Sequence, residues 1–201
     1  MLRSVLTAAI LVAVVFFVGV LALQERMAYQ PPRVVEPTPA GAERVDYVAA
    51  DGQPLYAYVI PAESSASGPP RILLAVHGNA DLAAWIAPWA REVARRTGRA
   101  VVLAEYRGYG GLTGSPSAPG VRADSRAALE FVRARFGAGA HVAYYGHSLG
   151  RDGIVPTKMG RAVFDAAKDK GELLIVPGGA HNDVADVGGD AYWSWITRAL
   201  R

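Results

Sequence analysis

The chain has 201 residues, the size of one domain of ~100–200 residues, and 51% of them are hydrophobic against 19% charged, which excludes a disordered chain. The formal net charge is +3, but the arginines are scattered with no run of five Lys/Arg, so the basicity is read as compositional and no nucleic-acid partner is expected. No cysteine is present, which excludes disulfides and thiol or Cys-based metal chemistry and leaves the compartment open.

Residues 5–23 are uncharged and apolar apart from Thr7 and Gly19. That length reaches the ~18 residues expected of a membrane-spanning helix. A cleaved signal peptide is the rival reading. It would have an apolar core of ~7–15 residues and a small-x-small cleavage site; here the run is longer, and the candidate site around Val20 and Ala22 is poor. Residues 1–26 are therefore predicted to be an uncleaved signal anchor, a single transmembrane helix. Arg3 and the amino terminus oppose Arg26 and Arg33 in setting orientation; we expect the remaining chain outside the cytoplasm, in a periplasmic or other extracytoplasmic space.

Residues 27–43 carry Pro31, Pro32, Pro37 and Pro39 and are predicted to be an extended linker. A domain follows over 44–201. Residues 44–49 and 55–60 flank the Asp51-Gly52 turn and predict a β-hairpin. A loop spans 63–70. Residues 72–76 predict a buried strand ending at "HGNAD". Residues 82–96 have helical periodicity, with Trp85, Ile86, Trp89 and Val93 on one face. A second buried strand, 100–105, ends at "YRGYGG". The span 120–136 is helical, with Ala128, Phe131 and Val132 as its apolar face. A strand over 142–145 runs into "GHSLG". Pro156 opens a helix over 156–168, where a missing N–H costs nothing. Residues 173–176 form a strand ending at "GGAH", and 191–200 a closing helix. Strands alternating with helices predict a mostly parallel sheet with helices on its faces. Every motif quoted lies just past the C-terminal end of its strand, where open α/β sheets place their sites.

Gly-x-Ser-x-Gly between a strand and a helix is the pattern of a nucleophile elbow. Ser148 would sit in a strained turn, with Gly146 and Gly150 letting the backbone pass close by. A serine hydroxyl needs a base, and His181, in a Gly-rich loop after a strand, is the candidate. The other histidines have plainer roles. His77 precedes Gly78 at a strand end and is expected to support that loop. His147 points aside by strand alternation, and His141 opens a strand as a solvated position. A carboxylate must hold the histidine's tautomer. Asp152 in "RDGIVP" is the candidate, with Asp183 and Asp186 as substitutes; Asp124, on a helix, is expected to be a surface charge. An oxyanion hole needs backbone N–H groups, which Leu149 and either Asn79 or Ala80 could supply. Ser115 and Ser117 read as turn residues in a Pro-rich loop. No metal or organic cofactor is implied, since "GYGGLTGS" lacks the lysine of a phosphate-binding loop.

"AVHGNAD", "AEYRGYGGLTGSPS", "YYGHSLG", "RDGIVP" and "VPGGAHND", in that order from about residue 44 onward, resemble an α/β-hydrolase of the membrane-anchored serine-hydrolase type. The resemblance implies Ser148 as nucleophile, Asp152 as acid, His181 as base and Asn79/Ala80 with Leu149 at the oxyanion hole. It places His77 and Gly78 in the loop before that hole. Tyr106 and Arg107 would shape the pocket, and the substrate would be a small-molecule or lipid-like ester or amide. The chain departs from that family after Gly150. There the family has a helix, further strands and a substrate-shaping cap before the acid loop; here Arg151 follows at once, so at least two βα units, ~30 residues each, are missing.

Four residue steps span at most ~14 Å, so Ser148 and Asp152 could share one site. Strand 142–145, helix 156–168 and strand 173–176 make a legitimate βαβ unit. Its last strand could pair with the elbow strand, or keep its family position and leave a gap; we expect pairing, because an unpaired buried edge is costly. The elbow's own helix is lost, since Gly153 weakens it and Pro156 stops it. The uncapped site would be open and wet, and low or absent hydrolase activity is expected. Two other readings compete: a non-catalytic, membrane-tethered binding protein on a hydrolase scaffold, and a marginal fragment without stable function.

Overall fold

The computed structural model describes residues 10–20, 23, 29–62, 69–146, 174 and 184–200. Five strands form one sheet in the order β1-β2-β4-β3-β5. They are β1 (Glu43–Val48), β2 (Pro54–Ile60), β3 (Arg71–Val76), β4 (Ala100–Ala104) and β5 (His141–Gly146). The expected hairpin is present. β1 and β2 pair antiparallel from Val48↔Pro54 outward. Gly52 takes φ 83° in their turn, and the Asp51 carboxylate accepts from the Gln53 N–H. β2 and β4 are also antiparallel, whereas β3 is parallel to both β4 and β5. The described sheet is therefore mixed rather than mostly parallel, because the hairpin adds two antiparallel pairings to the two parallel ones.

Helix α1 covers residues 10–20. Its apolar side chains are exposed, including Phe16 and Phe17. Among the described residues no helix is long and apolar enough to cross a membrane. The expected span of residues 5–23 extends beyond α1 into residues outside the described set.

Helix α2 is Ala87–Thr97, five residues shorter at its start than the 82–96 expected. Pro88 occupies the first turn, where a proline fits. The preceding residues 83–86 form a turn instead, anchored where the Ala83 N–H donates to the Glu105 carboxylate. Trp85 is consequently exposed in that turn rather than on a helix face. Helix α3 is Ala118–Phe136; the Ser117 side chain caps it by accepting from the Gly120 N–H. Helix α4 is Val184–Ala199, starting seven residues before the expected Ala191. Its backbone leaves helical geometry at Gly189 (φ 46°, ψ −135°). A glycine kink there interrupts the periodicity on which the shorter reading rested. The helix over 156–168 lies outside the described residues, as does the strand over 173–176 apart from Leu174.

The two faces of the sheet carry separate cores. Leu73, Ala75, Val101 and Leu103 point to one face, where α2 and α4 pack through Val93, Ala94, Tyr192 and Ile196. Ile72, Leu74 and Val102 point to the other, covered by Ala128 and Val132 of α3. Strand alternation alone divides neighbours such as Leu73 and Leu74 between the faces. The end of α4 is pinned to the strand starts: the Leu200 carbonyl accepts from the Arg99 Nε–H at 2.6 Å, from its Nη2–H, and from Arg71.

Candidate functional site

Three parallel strands end at one level. Val76 of β3 is the register partner of Ala104 on one side and of Gly146 on the other. The chain leaves β3 toward α2 and β4, and leaves β4 across β3 toward β5. The helices of these two crossovers lie on opposite faces, so the loops after β3, β4 and β5 converge where the strand order reverses. The "HGNAD" loop thus starts beside the strand that leads into "GHSLG". Ser148 is two residues beyond Gly146, and Asn79 three beyond Val76. A Cβ at Gly146 would meet Val76 Cγ2 at 3.9 Å, an ordinary contact. The described neighbours therefore do not impose the close approach expected at Gly146. Ser148, Leu149, Gly150, Asp152 and His181 lie outside the described residues.

His77 supports its loop, as expected. Its side chain is buried; Nε2 donates to Glu105 Oε1 at 2.5 Å, and Nδ1 stands 2.8 Å from the Gly78 carbonyl oxygen. Both ring nitrogens face acceptors, which only the imidazolium can satisfy at once. Burial opposes that charge, but the Glu105 hydrogen bond and charge outweigh it, and the pKa of His77 is raised. The Tyr106 and Tyr109 rings stand 5.1 Å and 5.2 Å from the imidazole.

Glu105, 1% exposed, is the residue that sequence reasoning missed. Besides His77, it accepts from the Ala83 and Tyr106 N–H groups, each at 3.1 Å, and from the Tyr56 hydroxyl at 3.4 Å. One carboxylate thereby ties the loop after β3 to the loop after β4. The available signal was a glutamate closing the apolar run "AVVLA". Gly110, at φ 54°, makes room for it: a Cβ there would overlap the Tyr56 hydroxyl and stand 2.9 Å from Glu105 Oε2.

The candidate oxyanion loop is held from two sides. Asn79 Oδ1 accepts from the Tyr109 hydroxyl and from the Gln30 N–H, both at 2.8 Å. Burial pushes the Tyr109 hydroxyl up to about 12, so it stays a neutral donor. Ala80 takes φ 54° and alone among the described non-glycine residues has positive φ. That conformation costs on the order of 1–3 kcal/mol and persists where neighbours over-determine it, as the Asn79 contacts next to it do.

Residues 29–42, most of the stretch expected to be an extended linker, form a strap with neither helix nor strand that is docked on the domain. The Pro32 carbonyl accepts from the Gly110 N–H at 3.0 Å, Glu36 accepts from the Trp85 indole at 2.9 Å, and the Ala40 carbonyl accepts from Arg91 at 3.3 Å. A Cβ on Gly111 would overlap Val35 Cγ2. Proline favours extended chain, but an extended chain with free carbonyls can also pair with another surface.

Arg107 and Asp124 hold the loop after β4 to α3. Asp124 is 1% exposed, not the surface charge expected. It accepts from the Arg107 guanidinium at 2.6 Å and 2.9 Å and from the Arg107 backbone N–H at 2.9 Å. The other arm of Arg107 reaches Asp51 at 2.8 Å in the hairpin turn. The guanidinium of Arg107 is thus committed to two carboxylates. Beside the loop after β3, a cavity of about 640 Å³ is walled by Asp81, Trp85, Trp89, Tyr145, Val184 and Tyr192. Val184 is three residues past His181. A second cavity, about 580 Å³, lies at the opposite end of the sheet against Ile72 and Ala100 and touches none of these loops.

The architecture is a mixed sheet with helices on both faces and convergent loops at a reversal of strand order. No family model matches the chain. It is 37% identical over 133 residues to an uncharacterized protein of Mycobacterium tuberculosis; the match covers 63% of this chain and 46% of that one. It is 33% identical over 135 residues to the uncharacterized protein YfhR of Salmonella typhi, covering 63% and 44%. Protein bem46 of Schizosaccharomyces pombe is 34% identical over 110 residues, covering 54% and 36%. The chain thus spans less than half the length of these relatives. Among solved structures, esterase Pf2001 of Pyrococcus furiosus is similar at a TM-score of 0.48 and 17% identity, over 58% of this chain and 45% of that one. A bacterial heroin esterase is similar at a TM-score of 0.44 and 27% identity, over 53% and 35%.

Proposed function

We propose that the protein is a serine hydrolase of ester or amide bonds, anchored in a membrane through residues 5–23, with its domain outside the cytoplasm. The observation that carries the hydrolase reading is the pairing of Val76 with Gly146, which starts the "HGNAD" loop beside the "GHSLG" stretch. In this reading Ser148 Oγ attacks the substrate carbonyl carbon while His181 takes its proton. The oxyanion is held by the N–H groups of Leu149 and of Asn79 or Ala80. The leaving alcohol or amine departs with the proton from His181, and water then releases the acyl group from Ser148 by the same steps. Asp152 orients His181. The described side chains act on the frame: Glu105 and His77 hold the loop that carries Asn79, and Tyr109 holds Asn79 itself. The missing cap and elbow helix set the rate low, since a ~1 Å displacement can cost ~100-fold.

The test is fluorophosphonate labelling of the full chain beside Ser148→Ala. Labelling of the parent alone is the expected result. A parent that melts cooperatively yet takes no label would overturn the reading in favour of a binding scaffold.

A further inference from the structure

Six large apolar side chains outside α1 and Leu23 are exposed among the described residues. Three of them gather where the strap crosses the loops of the candidate site: Val34, Val35 (69% exposed) and Trp85 (48% exposed). Glu36, next to Val35, holds the Trp85 indole, and Arg33 is exposed alongside. Val48, Tyr144 and Val187 stand on three other elements and need no explanation singly. A tryptophan held by Glu36, with two valines and an arginine exposed in the three residues before that glutamate, is the composition of a headgroup-level surface, where an indole sits half in apolar and half in polar surroundings.

The chain's own connectivity aims this edge. Gln30 is fixed on Asn79, and Leu23, the end of the apolar run, is seven residues earlier. Seven residue steps span at most ~25 Å. The headgroup region on one side of a bilayer is itself ~5–8 Å deep. A domain whose chain enters through the strap must therefore turn the strap, and the Asn79 loop beneath it, toward the surface in which residues 5–23 lie. The described part of that run, α1, is apolar and exposed along its length, as a helix that meets lipid would be.

We propose that Arg33, Val34, Val35 and Trp85 form a docking surface for the lipid bilayer, and that the substrate is a membrane-resident amphiphile whose ester or amide bond lies at headgroup level. The first half rests on the membrane anchor proposed at residues 5–23, and the second also on the hydrolase reading.

The surface is tested with the full chain in phosphatidylcholine vesicles containing a nitroxide lipid labelled near the headgroup. Trp85→Phe leaves Trp89, Trp193 and Trp195 as controls. The parent is expected to lose at least ~1.5-fold more of its tryptophan emission than Trp85→Phe does, and R33E/V34D is expected to remove the difference. Equal fractional quenching of parent and Trp85→Phe overturns the surface, as does release of the chain from vesicles by alkaline carbonate. The substrate class is tested on the same vesicles with long-chain and short-chain fluorophosphonates. The parent is expected to label at least threefold faster with the long-chain probe, and R33E/V34D to lose that preference while labelling equally with the short one. Equal rates for the parent overturn the substrate class. Labelling by neither probe removes the hydrolase reading and the substrate class with it, and leaves the quenching result to decide the surface.

Discussion

A carboxylate with no access to water has to be matched donor by donor, and Glu105 is matched by His77, Ala83, Tyr106 and Tyr56. The pairing makes stability depend on pH through His77. Its folded pKa is raised above an unfolded value of ~6.5. A raised pKa contributes stability that is fully present below the unfolded value and is lost as pH rises through the folded one. The denaturant midpoint of the parent is therefore expected to fall as pH rises from about 6.5, and that of His77→Gln to lack this slope; parallel profiles would show that His77 is neutral in the folded protein. Arg107 makes a second comparison. Its contact with Asp51 is half-exposed and screened, whereas that with Asp124 is buried. Arg107→Ala leaves Asp124 as a buried charge without its guanidinium and is expected to cost about 3–5 kcal/mol. Asp51→Ala should barely move the same midpoint; equal losses would put the strength of the clamp in the hairpin turn instead.

At the scale of elements, helix α3 begins where Ser117 accepts from the Gly120 N–H at 3.1 Å. Replacing that cap by alanine is expected to cost about 1 kcal/mol, and Ser117→Asn to restore it. Urea midpoints of the three proteins decide, and an alanine variant as stable as the parent would mean that packing alone sets the helix start. The five described strands were legible because each is an apolar or alternating run bounded by turn residues, with both signals local. The helix starts were less so. Pro88 and the grip of Glu105 on Ala83 set where α2 begins, and Gly189 hides the first turns of α4 from a periodicity argument. The strap was illegible for another reason. Four prolines predict an extended chain, but the partners Asn79, Trp85, Arg91 and Gly110 are some 50 to 80 residues away. Asp124 and Glu105 share that difficulty: sequence shows a charge, and only the fold shows that it is buried. In the candidate site, the loop with His77 and Asn79 was legible from its position at a strand end. What the structure adds is the frame beneath it.

For the molecule as a whole, the question is whether two faces covered by separate helices make one cooperative unit. Among the described residues α2 and α4 pack on one face and α3 on the other, and the two cores meet through the strands and through a small cluster of Ala49, Leu55 and Ala127, on which Tyr47 of the α3 side and Leu112 of the α2/α4 side both pack. Tryptophan reports on one of them. Trp89, Trp193 and Trp195 pack against the α2/α4 core, while no tryptophan belongs to the α3 core. Val132 is fully buried in the α3 core. Val132→Ala removes two buried carbons and leaves a cavity, at a cost of about 2 kcal/mol. That is a large share of the ~5–15 kcal/mol that holds a domain together. If the sheet transmits the loss, tryptophan emission on the far face shifts its urea midpoint by the same amount as far-UV circular dichroism, because unfolding is all-or-none. A circular-dichroism midpoint that moves while the tryptophan midpoint stays would mean that the faces unfold separately. The strand ends that bring the "HGNAD" loop beside Gly146 would then lose their support from α3 before the α2/α4 face melts, and the proposed site would lose the frame that keeps its groups in place, where a ~1 Å displacement can cost ~100-fold.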